Sequence, residues 1–262
     1  MAAVRIRRAV PAALLAVLVL AVSGCGDDGG GSSKSGEPSG RVTVFAAASL
    51  TGTFTELGRQ FEAAHPGVSV EFNFGGSSAL AASIGQGAPA DVFASADEKN
   101  MRTVENAKST DGTPVGFAKN TLQIAVAPGN PEGVHSLADL NKSGLKVALC
   151  AEEVPCGSAA KTAIAAAGVK VTPVTLEKDV KAALTKLTLG EVDAALVYRT
   201  DVAAAGDKVT GVDFPESAQA VNTYPIAPLA KAPNPTAGKA FVDYVLSEPG
   251  RAALTAAGFA TP

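Results

Sequence analysis

The sequence predicts an α/β fold of two lobes, each a mainly parallel sheet flanked by helices. Three observations carry that prediction. Strand-like and helix-like segments alternate repeatedly from residue 41 onward, which is how βα units read in sequence. They fall into two runs of about 80–110 residues, each the size of a lobe, around an irregular, polar stretch at 108–115. Eight regular βα units, as a closed barrel requires, are not present, and no internal repeat is visible.

The elements are justified in chain order. Arg5, Arg7 and Arg8 precede an apolar run at 11–22 that has signal-peptide length and is short for a membrane span. It ends in Val22-Ser23-Gly24-Cys25, which looks like a bacterial lipobox, with cleavage before Cys25 and a lipid on its thiol. The alternative is an ordinary secretory signal with an incidental cysteine. Residues 25–40 form a polar, Gly/Ser-rich tether. Segment 42–46 reads as a buried strand. Leu50, Phe54, Leu57 and Phe61 then share one helical face, closed by His65-Pro66-Gly67. Period-two alternation marks a strand at 68–74, followed by a helix over 78–84, a strand at 91–94 and a helix over 97–106. In the second run, strands are expected at 122–127, 146–149, 169–174 and 192–197, with helices over 157–167 and 179–189. A strand at 224–229 and helices over 237–246 and 250–257 complete the chain. The expected division is residues 1–24 as signal, 25–40 as tether, 41–119 with 226–262 as lobe one, and 120–225 as lobe two, with crossings near 117–121 and 222–225.

Composition removes several functions. The absence of Trp and an aromatic content of 5% disfavour stacking platforms for sugars or single-stranded nucleic acid. A net charge of −3 gives no basic footprint for nucleic acid, and removal of the three signal arginines makes the exported chain more acidic. Two His and three Cys leave little material for a metal site. With Cys25 lipidated, Cys150 and Cys156 remain in a disulfide-permissive compartment. A structural bridge between them is the expected reading, and two buried thiols the alternative. From residue 41 onward neither GxSxG, GxGxxG nor a P-loop is present.

In open α/β sheets, ligands sit beyond the carboxyl ends of the strands. Four strand-to-helix turns there carry small or hydroxyl residues: Ala47-Ala48-Ser49-Leu50, Gly75-Gly76-Ser77-Ser78, Val154-Pro155-Cys156-Gly157-Ser158 and Glu177-Lys178-Asp179-Val180. No Lys or Arg stands at the helix starts themselves. Helix N-termini offer unpaired N–H groups and the positive end of a dipole. Taken singly, Ser49, Ser77, Ser78 and Asp179 are ordinary N-caps. Balanced across two lobes, the turns point to an anion held by neutral donors. Such a cavity suits a guest that only accepts hydrogen bonds. Sulfate, molybdate and tungstate qualify, whereas phosphate keeps a proton near neutral pH and calls for an acceptor. Asp179 reads as the cap of its own helix.

These turns lie within segments that resemble the periplasmic molybdate-binding proteins of ABC importers, the ModA type: VTVFAAASL (42–50), GGSSALA (75–81), GAPADVFASAD (87–97), VPCG (154–157), EKDVKAAL (177–184) and LVYRTDV (196–202). The resemblance runs in order from about Val42 to Phe259. It implies the type II periplasmic-binding-protein fold, closing over one tetrahedral oxyanion, molybdate and also tungstate, for delivery to a membrane permease. It further implies a binding protein with no cofactor, no resident metal, no nucleic-acid partner and a monomeric state, held at the outer face of the cytoplasmic membrane by lipid on Cys25. By the same resemblance Ser49 and Ser77 supply hydroxyls, Cys156 and Val180 supply backbone N–H groups, and Tyr198 supplies its phenol. Cys156 departs from the family's usual Ala, and its bridge to Cys150 would pin the donor loop. Ser78 and Ser158 stand as second-line donors. The rival readings are a sulfate or other oxyanion binder of the same fold, and an exported Ser hydrolase that would need His135 beside Ser49 or Ser77.

Overall fold

A computed structural model describes residues 37–262. The signal segment, Cys25 and most of the tether lie outside the described residues. Two five-stranded sheets organise the rest.

The first sheet contains β1 (Gly40–Ala47), β2 (Val68–Gly75), β3 (Val92–Ala94), β4 (Val115–Asn120) and β10 (Asn222–Pro228), in the order β2-β1-β3-β10-β4. The second contains β5 (Leu122–Val126), β6 (Val147–Cys150), β7 (Thr175–Glu177), β8 (Ala194–Tyr198) and β9 (Thr210–Val212), in the order β7-β6-β8-β5-β9. In each sheet four strands run one way, and the fifth, β10 or β5, is inserted in reverse at the same place in the order. The sheets are therefore mixed but mainly parallel, with helices as connections. β4 and β5 adjoin in sequence yet belong to different sheets, so the chain changes sheet at Thr121 and returns between Val212 and Asn222. β10 begins four residues before the boundary expected at 226, because Asn222 already pairs with Asn120.

Helix α1 (Thr51–Ala64) buries Phe54, Leu57 and Phe61. Phe54 and Phe61 pack their rings against Phe241 of α7 (Pro235–Leu246) at centroid distances of 6.1 and 5.4 Å. Aromatic burial of this kind is worth about 3–5 kcal/mol per side chain when truncated. Gly67, at φ +104°, makes the left-handed turn into β2 that a Cβ would strain. The α2 (Ser77–Gly85), α3 (Glu98–Asn106) and α8 (Glu248–Ala256) helices complete the first lobe. In the second, α4 (Pro155–Ala167) begins on a proline, which loses nothing at a helix start, and ends at Gly168 in the left-handed conformation. There α5 (Val180–Thr188) and α6 (Arg199–Ala205) cover the sheet.

The strand expected at 169–174 is displaced to Thr175–Glu177. Val169 and Val171 do pack on the core, but Pro173 has no N–H to give a ladder. Hydrogen bonding to β6 starts only at Val174, whose N–H donates to Val147 O at 2.9 Å. Sequence reading also passed over β4, β9 and α6. Among the described residues no helix is long and apolar enough to cross a membrane.

Candidate functional site

Two parallel strands of the first sheet and three of the second end at one place. Beyond β1 lies Ser49, beyond β2 Ser77, beyond β6 Cys156, beyond β7 Val180, and Tyr198 is the last residue of β8. All five line a single small cavity together with Ala96, Gly75, Gly76, Val154, Pro155 and Asp179. The cavity leaves the centre of a water-sized sphere ≈ 10 Å³ in which to move, room for a guest of only a few heavy atoms. Every residue expected to hold a ligand is brought to it. Ser78 and Ser158 are not, and Ser158 lies instead in a neighbouring groove.

The donors differ in kind. Ser77 opens α2 and is fully buried. Its Oγ accepts the Ala96 N–H at 3.0 Å, so its own hydrogen is left to donate. Ser49 Oγ lies 3.0 Å from the Tyr224 phenol oxygen. On the second lobe Cys156 and Val180 sit in the first turns of α4 and α5, where N–H groups have no intrahelical acceptor. The structure joins Cys150 to Cys156 as a disulfide with Cα atoms 5.7 Å apart, tying the end of β6 to the start of α4. Gly157 is required beside it, because a Cβ there would lie 1.9 Å from Ala151 O. The Tyr198 hydroxyl is buried and has no hydrogen-bond partner among the described residues. A buried hydroxyl with no close partner is costly, so this donor, whose phenol interacts weakly with that of Tyr224, has a hydrogen free for an acceptor in the cavity. Burial, with smaller contributions from Tyr224, Asp97 and Asp201, pushes the Tyr198 phenol well above its ordinary range, so it stays a neutral donor.

Positive charge is kept off the cavity wall. No Lys, Arg or His lines it. The one carboxylate there, Asp179, accepts the Ala182 N–H at 2.9 Å and caps α5 as expected. Behind the wall, Asp201 Oδ2 accepts the Tyr198 N–H at 3.2 Å, while Oδ1 lies 3.0 Å from the Lys181 ammonium. Burial raises the Asp201 carboxyl, and Lys181 opposes that shift. His135 is exposed and His65 packs at a tilt against Phe61, and neither lines the cavity with the serines. Among the described residues no cluster of His, Cys, Asp and Glu could hold a metal.

The lobes meet closely at one further point that sequence reading missed. Gly76 has φ −64°, open to any residue, yet a Cβ there would lie 2.4 Å from Lys178 O of the opposite lobe.

The family model for bacterial extracellular solute-binding proteins matches residues 42–260. The chain belongs to this family. It is a solute-binding protein of the transporter class and not an enzyme. It is 45% identical over 249 residues to the molybdate-binding protein ModA of Mycobacterium tuberculosis H37Rv, covering 94% of this chain and 95% of that one. The periplasmic molybdate-binding protein of Azotobacter vinelandii superposes with a TM-score of 0.73 at 22% identity, over 84% of this chain and 99% of that one. The sulfate-binding protein SubI of M. tuberculosis H37Rv superposes with a TM-score of 0.71 at 20% identity, over 84% and 86%. At those identities the two structures speak to the two-lobed fold alone.

Proposed function

We propose that the protein captures molybdate between its lobes and delivers it to an ABC permease in the cytoplasmic membrane. The observation that carries this reading is the buried, unpartnered Tyr198 hydroxyl in a cavity lined by helix starts and serines and by no cation. Ser49, Ser77 and Tyr198 offer hydroxyl hydrogens, and Cys156 and Val180 offer N–H groups. Each charge-assisted hydrogen bond nets about 1.5–3 kcal/mol, so five together offset much of the cost of dehydrating a dianion. The one acceptor side chain on the wall, Asp179, is engaged as the cap of α5, which disfavours hydrogen phosphate. Tungstate, with the same shape and charge, binds alongside molybdate.

The lobes divide as the sheets do and hinge at the two crossovers, Thr121 and 213–221. The oxyanion bridges them and stabilises the closed state through contacts that the open state lacks. The protein acts as a monomer, exported and held at the outer face of the cytoplasmic membrane by lipid on Cys25. The high identity to a molybdate-binding protein supports the choice of guest. Calorimetric titration of the purified protein with molybdate, tungstate, sulfate and phosphate tests it. Tight binding of molybdate and tungstate, with weak sulfate and no phosphate heat, is the expected result. A preference for sulfate overturns the guest, and silence with all four overturns the class.

A further inference from the structure

We propose that Asn120 and Tyr224, which lie behind the cavity and outside its lining, form a relay that fixes Ser49 as a hydrogen-bond donor toward the bound oxyanion. The inference rests on the oxyanion reading above and adds two positioning residues to it. Hydrogen-bond direction can be followed from a fixed end. Asn120 closes β4 at the chain's first change of sheet, and its Oδ1 accepts the Thr121 N–H at 3.0 Å. That contact sets the amide orientation, so Nδ2 faces the interior with two hydrogens and no acceptor capacity. One hydrogen goes to Thr200 Oγ1 at 2.8 Å, and the other reaches the Tyr224 phenol oxygen at 3.4 Å. Tyr224 thus receives one hydrogen bond, and in the proposed relay its own hydrogen goes to Ser49 Oγ, 3.0 Å away, a pair in which either oxygen could donate. Ser49, its oxygen already accepting, then turns its hydrogen toward the cavity it lines.

The arrangement matches that of Ser77, whose Oγ accepts from Ala96 N–H. At Ser77 the backbone fixes the hydroxyl's polarity, and at Ser49 two side chains 104 residues apart do the same. Tyr224 is buried, and its phenol is raised above its ordinary range chiefly by that burial, so the proton is not lost at physiological pH.

The test is a double-mutant cycle read by molybdate titration of the purified protein. Tyr224→Phe keeps the ring contacts with Phe117, Tyr198 and Phe259 and removes only the oxygen. It is expected to raise the Kd for molybdate about five- to thirtyfold, by weakening a charge-assisted bond without deleting it. In a Ser49→Ala background the same change is expected to cost less than about twofold, because the relay acts only through Ser49. Tyr224→Phe also frees Ser49 to accept, so discrimination against phosphate should narrow, an effect that loosened packing alone would not produce. Asn120→Ala serves as a second entry to the relay should Tyr224→Phe not fold, with the same direction and the same loss of effect beside Ser49→Ala. Unchanged affinity in a folded Tyr224→Phe protein, or losses that multiply in the double variant, overturns the relay. Absence of molybdate binding by the unmodified protein overturns instead the reading on which the relay rests.

Discussion

The two lobes approach the same cavity with different chemistry. The first offers hydroxyls, Ser49 beside the Tyr224 phenol and Ser77 backed by the Ala96 N–H. The second offers mostly backbone, the first-turn N–H groups of α4 and α5, and adds one phenol, Tyr198. A hydroxyl can be deleted by a single substitution, but a backbone N–H survives any side-chain change except to proline. The second lobe instead depends on keeping its loops in place, through the Cys150–Cys156 bridge and the close approach at Gly157.

This contrast can be broken by substitution. The largest effect is expected from Ser77→Ala and Tyr198→Phe, each weakening molybdate binding about 10- to 150-fold, since each removes a hydrogen bond to a charged guest. Ligand-free Tyr198→Phe should melt nearly unchanged, because the Tyr198 oxygen has no partner to lose, whereas Ser77→Ala leaves the buried Ala96 N–H without its acceptor and should melt lower. Gly76→Ala comes next. The new methyl would meet Lys178 O across the lobes, and relieving such overlap costs about 1–3 kcal/mol, or roughly 5- to 150-fold in affinity. The ligand-free protein should hold or gain stability, because alanine suits the extended backbone there. Small-angle scattering should then show weaker compaction on adding molybdate.

Smaller effects sharpen the comparison. Cys150→Ser with Cys156→Ser should lower ligand-free stability by about 2 kcal/mol through the lost loop constraint, and weaken binding only severalfold. Val180→Ala should change affinity less than about threefold, since its N–H remains. A comparable loss on Val180→Ala and on Ser77→Ala would abolish the distinction between the lobes. Alkaline pH gives the smallest effect. The Tyr198 and Tyr224 phenols are raised above 10 in the folded protein, so affinity should stay level between about pH 7.5 and 9.5. Above pH 10 the unfolded chain loses these protons before the folded one does, so stability should decline as pH rises further.

What the sequence made legible follows from the range of the forces involved. Ser49 and Ser77 stood out because a hydroxyl at a strand-to-helix turn is a local signal, and the resemblance added Cys156, Val180 and Tyr198. β7 was misplaced because alternation runs unbroken from Val169 to Asp179 in burial, so periodicity could not say where Pro173 lets the ladder begin. Asn120 and Tyr224 gave no sign at all. Their partnership comes from the pairing of β4 with β10, which no short window contains. Gly76 was noticed as a small residue near a ligand, yet its tightest neighbour belongs to the other lobe.

A crystal structure of the protein grown with molybdate, with the molybdenum placed by its anomalous signal, tests the convergence of donors most directly. One peak is expected in the cavity, with the surrounding oxygens about 2.7–3.2 Å from Ser49 Oγ, Ser77 Oγ, Tyr198 Oη and the Cys156 and Val180 nitrogens. A peak elsewhere, or a molybdenum ligated directly by side chains, would contradict the account.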